Sequence, residues 1–146
     1  MHSRIPSSTV ILAGALLLLF LSGFRPMTGA TTEQDPSRLA VLWTSGDPEV
    51  ADKVAFMYTL NAKKQGWFDE VTLIVWGPSA KLLSENADLQ SQVAEMAQVG
   101  VEILACRACA DSYGVSEALE GFGIEVKFMG QPLTEILKGD WQVLTF

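Results

Sequence analysis

The chain contains two cysteines, Cys106 and Cys109, and their C-x-x-C spacing makes them the first candidates for chemistry. A thiolate can act as a nucleophile, take part in thiol–disulfide exchange or bind a soft metal. A disulfide across so short a loop adds little stability, about 2 kcal/mol in the chain-entropy treatment. The pair is therefore predicted to serve a function rather than to staple the fold.

Four other residues are candidates for contact with the thiols or with a substrate. Arg107 can place positive charge beside a thiolate, and Tyr113 can donate a hydrogen bond near the pair. Gly46 belongs to a Ser-Gly-Asp turn whose backbone N–H groups can face an anion. Gly77 belongs to a Gly-Pro turn that is predicted to shape the wall of the site. The N–H groups of a helical turn after the first cysteine can also stabilise negative charge.

Residues 1–30 are predicted to be a signal peptide. A weakly basic start precedes an apolar stretch of fifteen residues, 10–24, which is short for a membrane span. Small residues at 28–30 favour cleavage after Ala30. The protein is therefore expected to be exported, periplasmic or secreted, with a linker over residues 31–37 and no membrane association after cleavage. An uncleaved N-terminal membrane anchor is the alternative.

The single histidine, His2, lies inside this predicted signal peptide. A mature chain without histidine has no Ser-His-Asp triad, no Cys-His dyad and no histidine-containing zinc site. Two cysteines are too few for a thiolate-only zinc site or an ordinary iron–sulfur cluster, so no metal and no cofactor is predicted. The formal net charge of -7 argues against nucleic acid as a partner.

Residues 38–146 predict one α/β domain that positions the cysteines. Asp47 is expected to cap the first helix and Ser79 a short helix through residues 81–83. Apolar and β-branched runs predict five strands that alternate with helices, which indicates a mainly parallel sheet in a three-layer α/β/α sandwich. Reactive groups gather at the carboxyl ends of such strands, where the cysteine segment lies. The predicted strands are residues 38–44, 70–76, 101–105, 125–129 and 141–146.

Cys106 follows an apolar run, Gly114 stands eight positions further on, and Val115 comes next. This C-x7-G-[VI] arrangement resembles the one in which sulfur relay members of the DsrE/DsrF-like family, such as the TusD-type proteins, carry their sulfur-accepting cysteine. YchN-like members have a second cysteine similar to Cys109. The stretches L-W-T-S-G-D-P-E-V and G-I-E-V-K-F-M-G-Q-P-L-T are similar to an exported or uncharacterised branch. The resemblance spans residues 39–146 and implies an α/β/α sandwich, persulfide chemistry at Cys106, and a homo-oligomer, commonly a trimer or hexamer.

The thiol pair and the resemblance together indicate an exported sulfur carrier or sulfurtransferase-like protein. Cys106 would take sulfur from a small sulfur compound or a persulfide-bearing protein. Cys109 would resolve the persulfide or tune the reactivity of Cys106. One alternative is a dithiol–disulfide oxidoreductase that uses the same pair. Another is a non-catalytic module that holds Cu(I) between two thiolates.

Overall fold

A computed structural model describes residues 37–146 of the chain. The predicted signal peptide over residues 1–30 and residues 31–36 of the predicted linker lie outside the described residues. Within residues 37–146, no helix is both long enough and apolar enough to cross a membrane.

The strands of the described region form one five-stranded sheet in the order β4-β3-β2-β1-β5. Every neighbouring pair is parallel, which confirms the predicted α/β fold class and makes the sheet all-parallel. The fourth strand ends two residues earlier than predicted, so Phe128 and Met129 leave the sheet. The strands are β1 (Arg38–Trp43), β2 (Glu70–Val75), β3 (Glu102–Cys106), β4 (Glu125–Lys127) and β5 (Trp141–Thr145).

Helices connect successive strands, as the alternating pattern predicts. The first connection starts where Asp47 Oδ1 accepts the N–H of Glu49 at 2.8 Å, the predicted cap. It runs through α1 (Pro48–Val50), a π-helical segment (Ala51–Phe56) and α2 (Met57–Lys64). The later helices are α3 (Pro78–Glu85), α4 (Ala87–Gln98), α5 (Arg107–Tyr113), α6 (Ser116–Gly121) and α7 (Gly130–Lys138).

The connections divide between the two faces of the sheet. From β1 to β4 the chain moves in one direction, and right-handed crossovers place α1 to α6 on one face. The step to β5 returns past β1, so α7 covers the opposite face, where Leu133 and Ile136 pack on Ala40, Ile74 and Leu104. In the described region this second helical layer is α7 alone. The connection from β4 to β5, which contains α7, has to cross four strand spacings, about 19 Å, from one edge of the sheet to the other.

The prediction that Ser79 caps a helix is wrong, because α3 starts after Gly77 without a side-chain cap. The Ser79 hydroxyl is fully buried and makes longer-range contacts instead. It accepts the backbone N–H of Trp76 at 2.9 Å and donates to the backbone carbonyl of Trp43 at 2.6 Å. Ser79 therefore ties the carboxyl end of β1 to that of β2.

Candidate functional site

Cys106 stands at the junction between β3 and α5. It is the last residue of the strand and the N-cap of the helix. Its side chain lies on the α7 face of the sheet, in a cluster with Ile74, Leu104 and Met129, and is only 3% exposed. The predicted sulfur acceptor is thus a buried thiol, which a reagent has to approach through a cavity.

Cys109 lies one turn further along α5 and is half-buried, so it is the more exposed of the two. Both cysteines are free thiols. Burial raises the pKa of the Cys109 thiol, and the adjacent Cys106 sulfur raises it further, whereas the backbone N–H of Gly77 acts in the opposite direction. Cys109 therefore favours its protonated form at neutral pH.

A cavity of about 620 Å³ opens onto both cysteines. Three large apolar side chains line it: Trp76 after β2, and Phe128 and Met129 after β4. The polar lining comes from α7, in which Gln131 Nε2 donates to Glu135 Oε1 at 2.9 Å. The other residues of the wall are Ala108, Gly130 and Pro132. The cavity is therefore an apolar chamber with thiols at one side and a carboxylate at another.

The structure does not place Arg107 or Tyr113 in the wall of this cavity. The Arg107 guanidinium lies 2.6 Å from Glu120 Oε1 and donates to the backbone carbonyl of Val126 at 2.7 Å. Its positive charge is thus engaged between α6 and β4. Tyr113 is an exposed residue at the end of α5.

The two predicted glycines lie in neighbouring turns at the carboxyl edge. Gly77 adopts φ +70° and ψ -133°, a conformation that favours glycine, and its N–H faces the sulfur of Cys109. Gly46 packs on the next residue of that turn, since a Cβ added at Gly46 would lie 3.2 Å from Cβ of Pro78. Gly77 is therefore adjacent to the thiols, and Gly46 supports the turn that contains it.

Residues 128–135 form a part of the site that sequence reasoning does not predict. Glu135 supplies a charged group to the cavity, and Met129 belongs to the same buried cluster as Cys106. A signal for them exists, because the end of β4 lies at the same edge of a parallel sheet as the end of β3. Among residues 37–146, no group of three or more His, Cys, Asp or Glu side chains is placed to hold a metal ion.

The model of the DsrE/DsrF-like family matches residues 37–146, which is most of the chain. The chain belongs to the DsrE/DsrF-like family. This confirms the family indicated by the cysteine motif and relates the protein to sulfur relay. The cysteines and their cavity lie within the matched residues.

Two solved structures share the fold of this DsrE/DsrF-like domain. The first is a conserved protein of unknown function, BT1422, from Bacteroides thetaiotaomicron, with 36% identity and a TM-score of 0.73 over 75% of this chain and 95% of that chain. The second is the YchN protein from E. coli, with 14% identity and a TM-score of 0.59 over 75% of this chain and 99% of that chain. The likeness to YchN supports the fold alone. No curated protein sequence matches the chain.

Proposed function

We propose that this DsrE/DsrF-like protein is an exported sulfur carrier that holds sulfane sulfur as a persulfide on Cys106. The observation that carries the proposal is the pair of free thiols, Cys106 and Cys109, opening onto one apolar cavity at the carboxyl edge of the sheet. Membership in a family that contains sulfur relay proteins supports the chemistry. The apolar stretch at residues 10–24 supports export.

Sulfur uptake would begin with the Cys106 thiolate attacking the outer sulfur of a donor R–S–SH. A new S–S bond forms as the S–S bond of the donor breaks, and RS⁻ leaves with the electron pair and takes a proton from water. The transferred sulfur keeps its hydrogen, so the product is Cys106–S–SH and no external oxidant is needed. Because Arg107 is paired with Glu120, backbone N–H groups would stabilise negative charge on sulfur: those of the first turn of α5 beside Cys106, and that of Gly77 beside Cys109.

Release would involve Cys109. Its thiolate attacks the Cys106 sulfur of the persulfide, displaces HS⁻ and closes a Cys106–Cys109 disulfide, which a dithiol reductant must reopen before another cycle. Because burial and the neighbouring sulfur raise the pKa of Cys109, little thiolate is present at neutral pH. The persulfide should therefore persist long enough to be handed to an acceptor, either a small thiol or a partner protein.

Intact-mass spectrometry tests the proposal. The reduced protein is exposed to a hydropersulfide donor, and the gain of one sulfur atom is measured. We expect the gain in the wild type and in Cys109→Ser, with slower loss in Cys109→Ser, and no gain in Cys106→Ser. Uptake by Cys106→Ser equal to that of the wild type would refute the assignment.

A dithiol–disulfide oxidoreductase remains the second candidate, favoured because both thiols line one cavity and the Cys106 thiol raises the pKa of Cys109. It predicts insulin reduction that needs both Cys106 and Cys109, whereas sulfur uptake needs Cys106 alone. Insulin reduction at a catalytic rate, without sulfur uptake from any donor, would favour this candidate over the carrier.

The assembly and export of the carrier are parts of the same proposal. By resemblance to its family, the protein is expected to form a trimer or a hexamer, which light scattering after gel filtration would measure. Cell fractionation with N-terminal sequencing should find the protein outside the cytoplasm, beginning after Ala30. A monomer, or a cytoplasmic chain with an intact N-terminus, would contradict the corresponding part.

A further inference from the structure

Glu135 gives the cavity an unbalanced negative charge. Among the described residues it is the single charged side chain in the cavity wall. Gln131, one turn earlier in α7, donates a hydrogen bond from its side-chain amide to one oxygen of the Glu135 carboxylate. No Lys or Arg of residues 37–146 lies within ion-pairing distance of this carboxylate.

The two cations that stand next to Cys106 in the chain and in the sheet register are engaged elsewhere. Arg107 follows Cys106 in the chain but binds Glu120. Lys127 is the register partner of Cys106 in β4, yet its Nζ lies 3.1 Å from Glu125 Oε1. The formal net charge of the whole chain, -7, has the same sign as the carboxylate in the cavity. The charge that the cavity wall presents to a ligand is therefore negative.

The size and lining of the cavity make this charge effective on a bound molecule. A sphere with the volume of the cavity, about 620 Å³, is about 11 Å across, close to the Debye length of roughly 10 Å at moderate salt. A charge on a ligand inside it is thus only partly screened from Glu135. Trp76 and Phe128 add aromatic rings, whose faces attract cations.

We propose that the cavity selects sulfur donors that carry a positive charge beside the sulfur and disfavours anionic donors such as thiosulfate. Glu135 is the specificity-determining residue of this selection, and the aromatic rings of Trp76 and Phe128 assist it. The identity of the cargo rests on the proposed sulfur-carrier function. The charge selection itself can be measured without sulfur transfer.

The first test uses three symmetric disulfides of similar size: cystamine, bis(2-hydroxyethyl) disulfide and 3,3′-dithiodipropionate, which carry cationic, neutral and anionic tails. In Cys109→Ser, the Cys106 thiolate attacks one sulfur, expels the other as a thiolate and leaves a mixed disulfide visible by mass. Each rate is divided by the rate of the same disulfide with 2-mercaptoethanol. At low salt we expect the cationic reagent to exceed the anionic one by about tenfold.

Two variants in the same background make the test specific. Glu135→Gln should reduce the ratio of the normalised rates of the cationic and anionic disulfides to about twofold. About 0.5 M salt should reduce the same ratio in the Cys109→Ser parent to a similar value. Glu117→Gln removes an equal charge from an exposed position on α6, outside the cavity, and should leave this ratio unchanged. Equal normalised rates for the three reagents, or an unchanged ratio in Glu135→Gln, would overturn the proposal.

The second test gives the wild type hydropersulfides with the same three tails. Sulfur uptake in the order cationic, neutral, anionic supports both proposals, whereas uptake without that order overturns the charge selection alone. Absence of uptake from every donor, together with an ordered disulfide exchange, overturns the carrier function and leaves the charge selection standing. Two sources could supply a persulfide with a positive charge beside its sulfur: a small aminothiol, or a protein cysteine next to a basic residue. Comparing the 2-aminoethyl donor with a Lys-Cys-Lys peptide persulfide identifies the preferred source.

Discussion

Replacing Ser79 with alanine is expected to loosen the edge of the sheet on which the thiols lie. The buried hydroxyl connects the backbone N–H of Trp76 with the backbone carbonyl of Trp43. The turn that follows Trp76 contains Gly77, whose N–H faces Cys109. A change at Ser79 should therefore appear both in the stability of the fold and in the reactivity of a cysteine that it does not touch.

The magnitude follows from the two hydrogen bonds that are lost. Each contributes about 0.5–1.5 kcal/mol net, and a fully orphaned buried group would add a larger penalty. Here the N–H of Trp76 and the carbonyl of Trp43 also bond to each other at 3.0 Å, so neither loses its last partner. We expect the free energy of unfolding of Ser79→Ala to fall by about 1–2 kcal/mol.

Urea unfolding measures this loss. With an m value near 1.5 kcal/mol per M, the expected loss lowers the urea midpoint by about 1 M. Ser84→Ala is the matched control, because its hydroxyl donates within the same helix, to the carbonyl of Lys81 at 2.8 Å. Its stability should change by less than about 0.5 kcal/mol. Alkylation of Cys109 should also be faster in Ser79→Ala. Equal losses of unfolding free energy in the two variants would show that the hydrogen bonds of Ser79 between β1 and β2 stabilise the fold no more than a local bond within the helix.

Three further predictions concern a strained turn and two shifted pKa values. Gly77→Ala forces a side chain into φ +70°, ψ -133° and should lower the free energy of unfolding by about 1–3 kcal/mol in urea, whereas Gly121→Ala, in open space, should not lower it. Iodoacetamide modification of Cys109, followed by peptide mapping, should have a pH midpoint above the ordinary thiol pKa, since burial and the neighbouring thiol raise it; a midpoint at or below that value would contradict the geometry. Hydrogen bonds from Ser37 lower the pKa of Asp69, so its stabilising effect is present above the ordinary carboxyl pKa and is lost as pH falls through the lowered value. Asp69→Asn should therefore be less stable than the wild type at neutral pH, with a difference that shrinks in acid; a constant difference would argue against this linkage.

The parallel sheet could be predicted because its signals are local. Each buried strand is a short apolar run, and helix ends carry their own markers, such as the Asp47 cap and the left-handed Gly114 after α5. The end of a strand is harder to predict when the residue types favour a strand but the chain turns out of the sheet. Phe128 and Met129 suit a strand by type, but the chain turns away after Lys127 to start α7. The order of the strands depends on tertiary packing, which no local pattern encodes.

The candidate site was predictable only in part, for a related reason. The spacing of Cys106 and Cys109 on the strand and helix is a property of the adjacent sequence. The direction of Arg107 is not, because a long side chain follows the partner that the fold offers, here Glu120. Glu135 is remote in sequence from the thiols and approaches them only because the last helix crosses the sheet.

That crossing has a consequence for the order in which the protein folds. Pairing β1 with β5 joins Arg38 to Trp141, about 100 residues apart, whereas β1, β2, β3 and β4 pair through shorter connections. Long-range closures carry a larger entropy loss and tend to form late. The wall from Phe128 to Glu135 belongs to the segment that this closure anchors. During folding, Cys106 should therefore stay accessible to oxidants until β5 pairs with β1, and slower pairing would leave more time for the thiol to be oxidised.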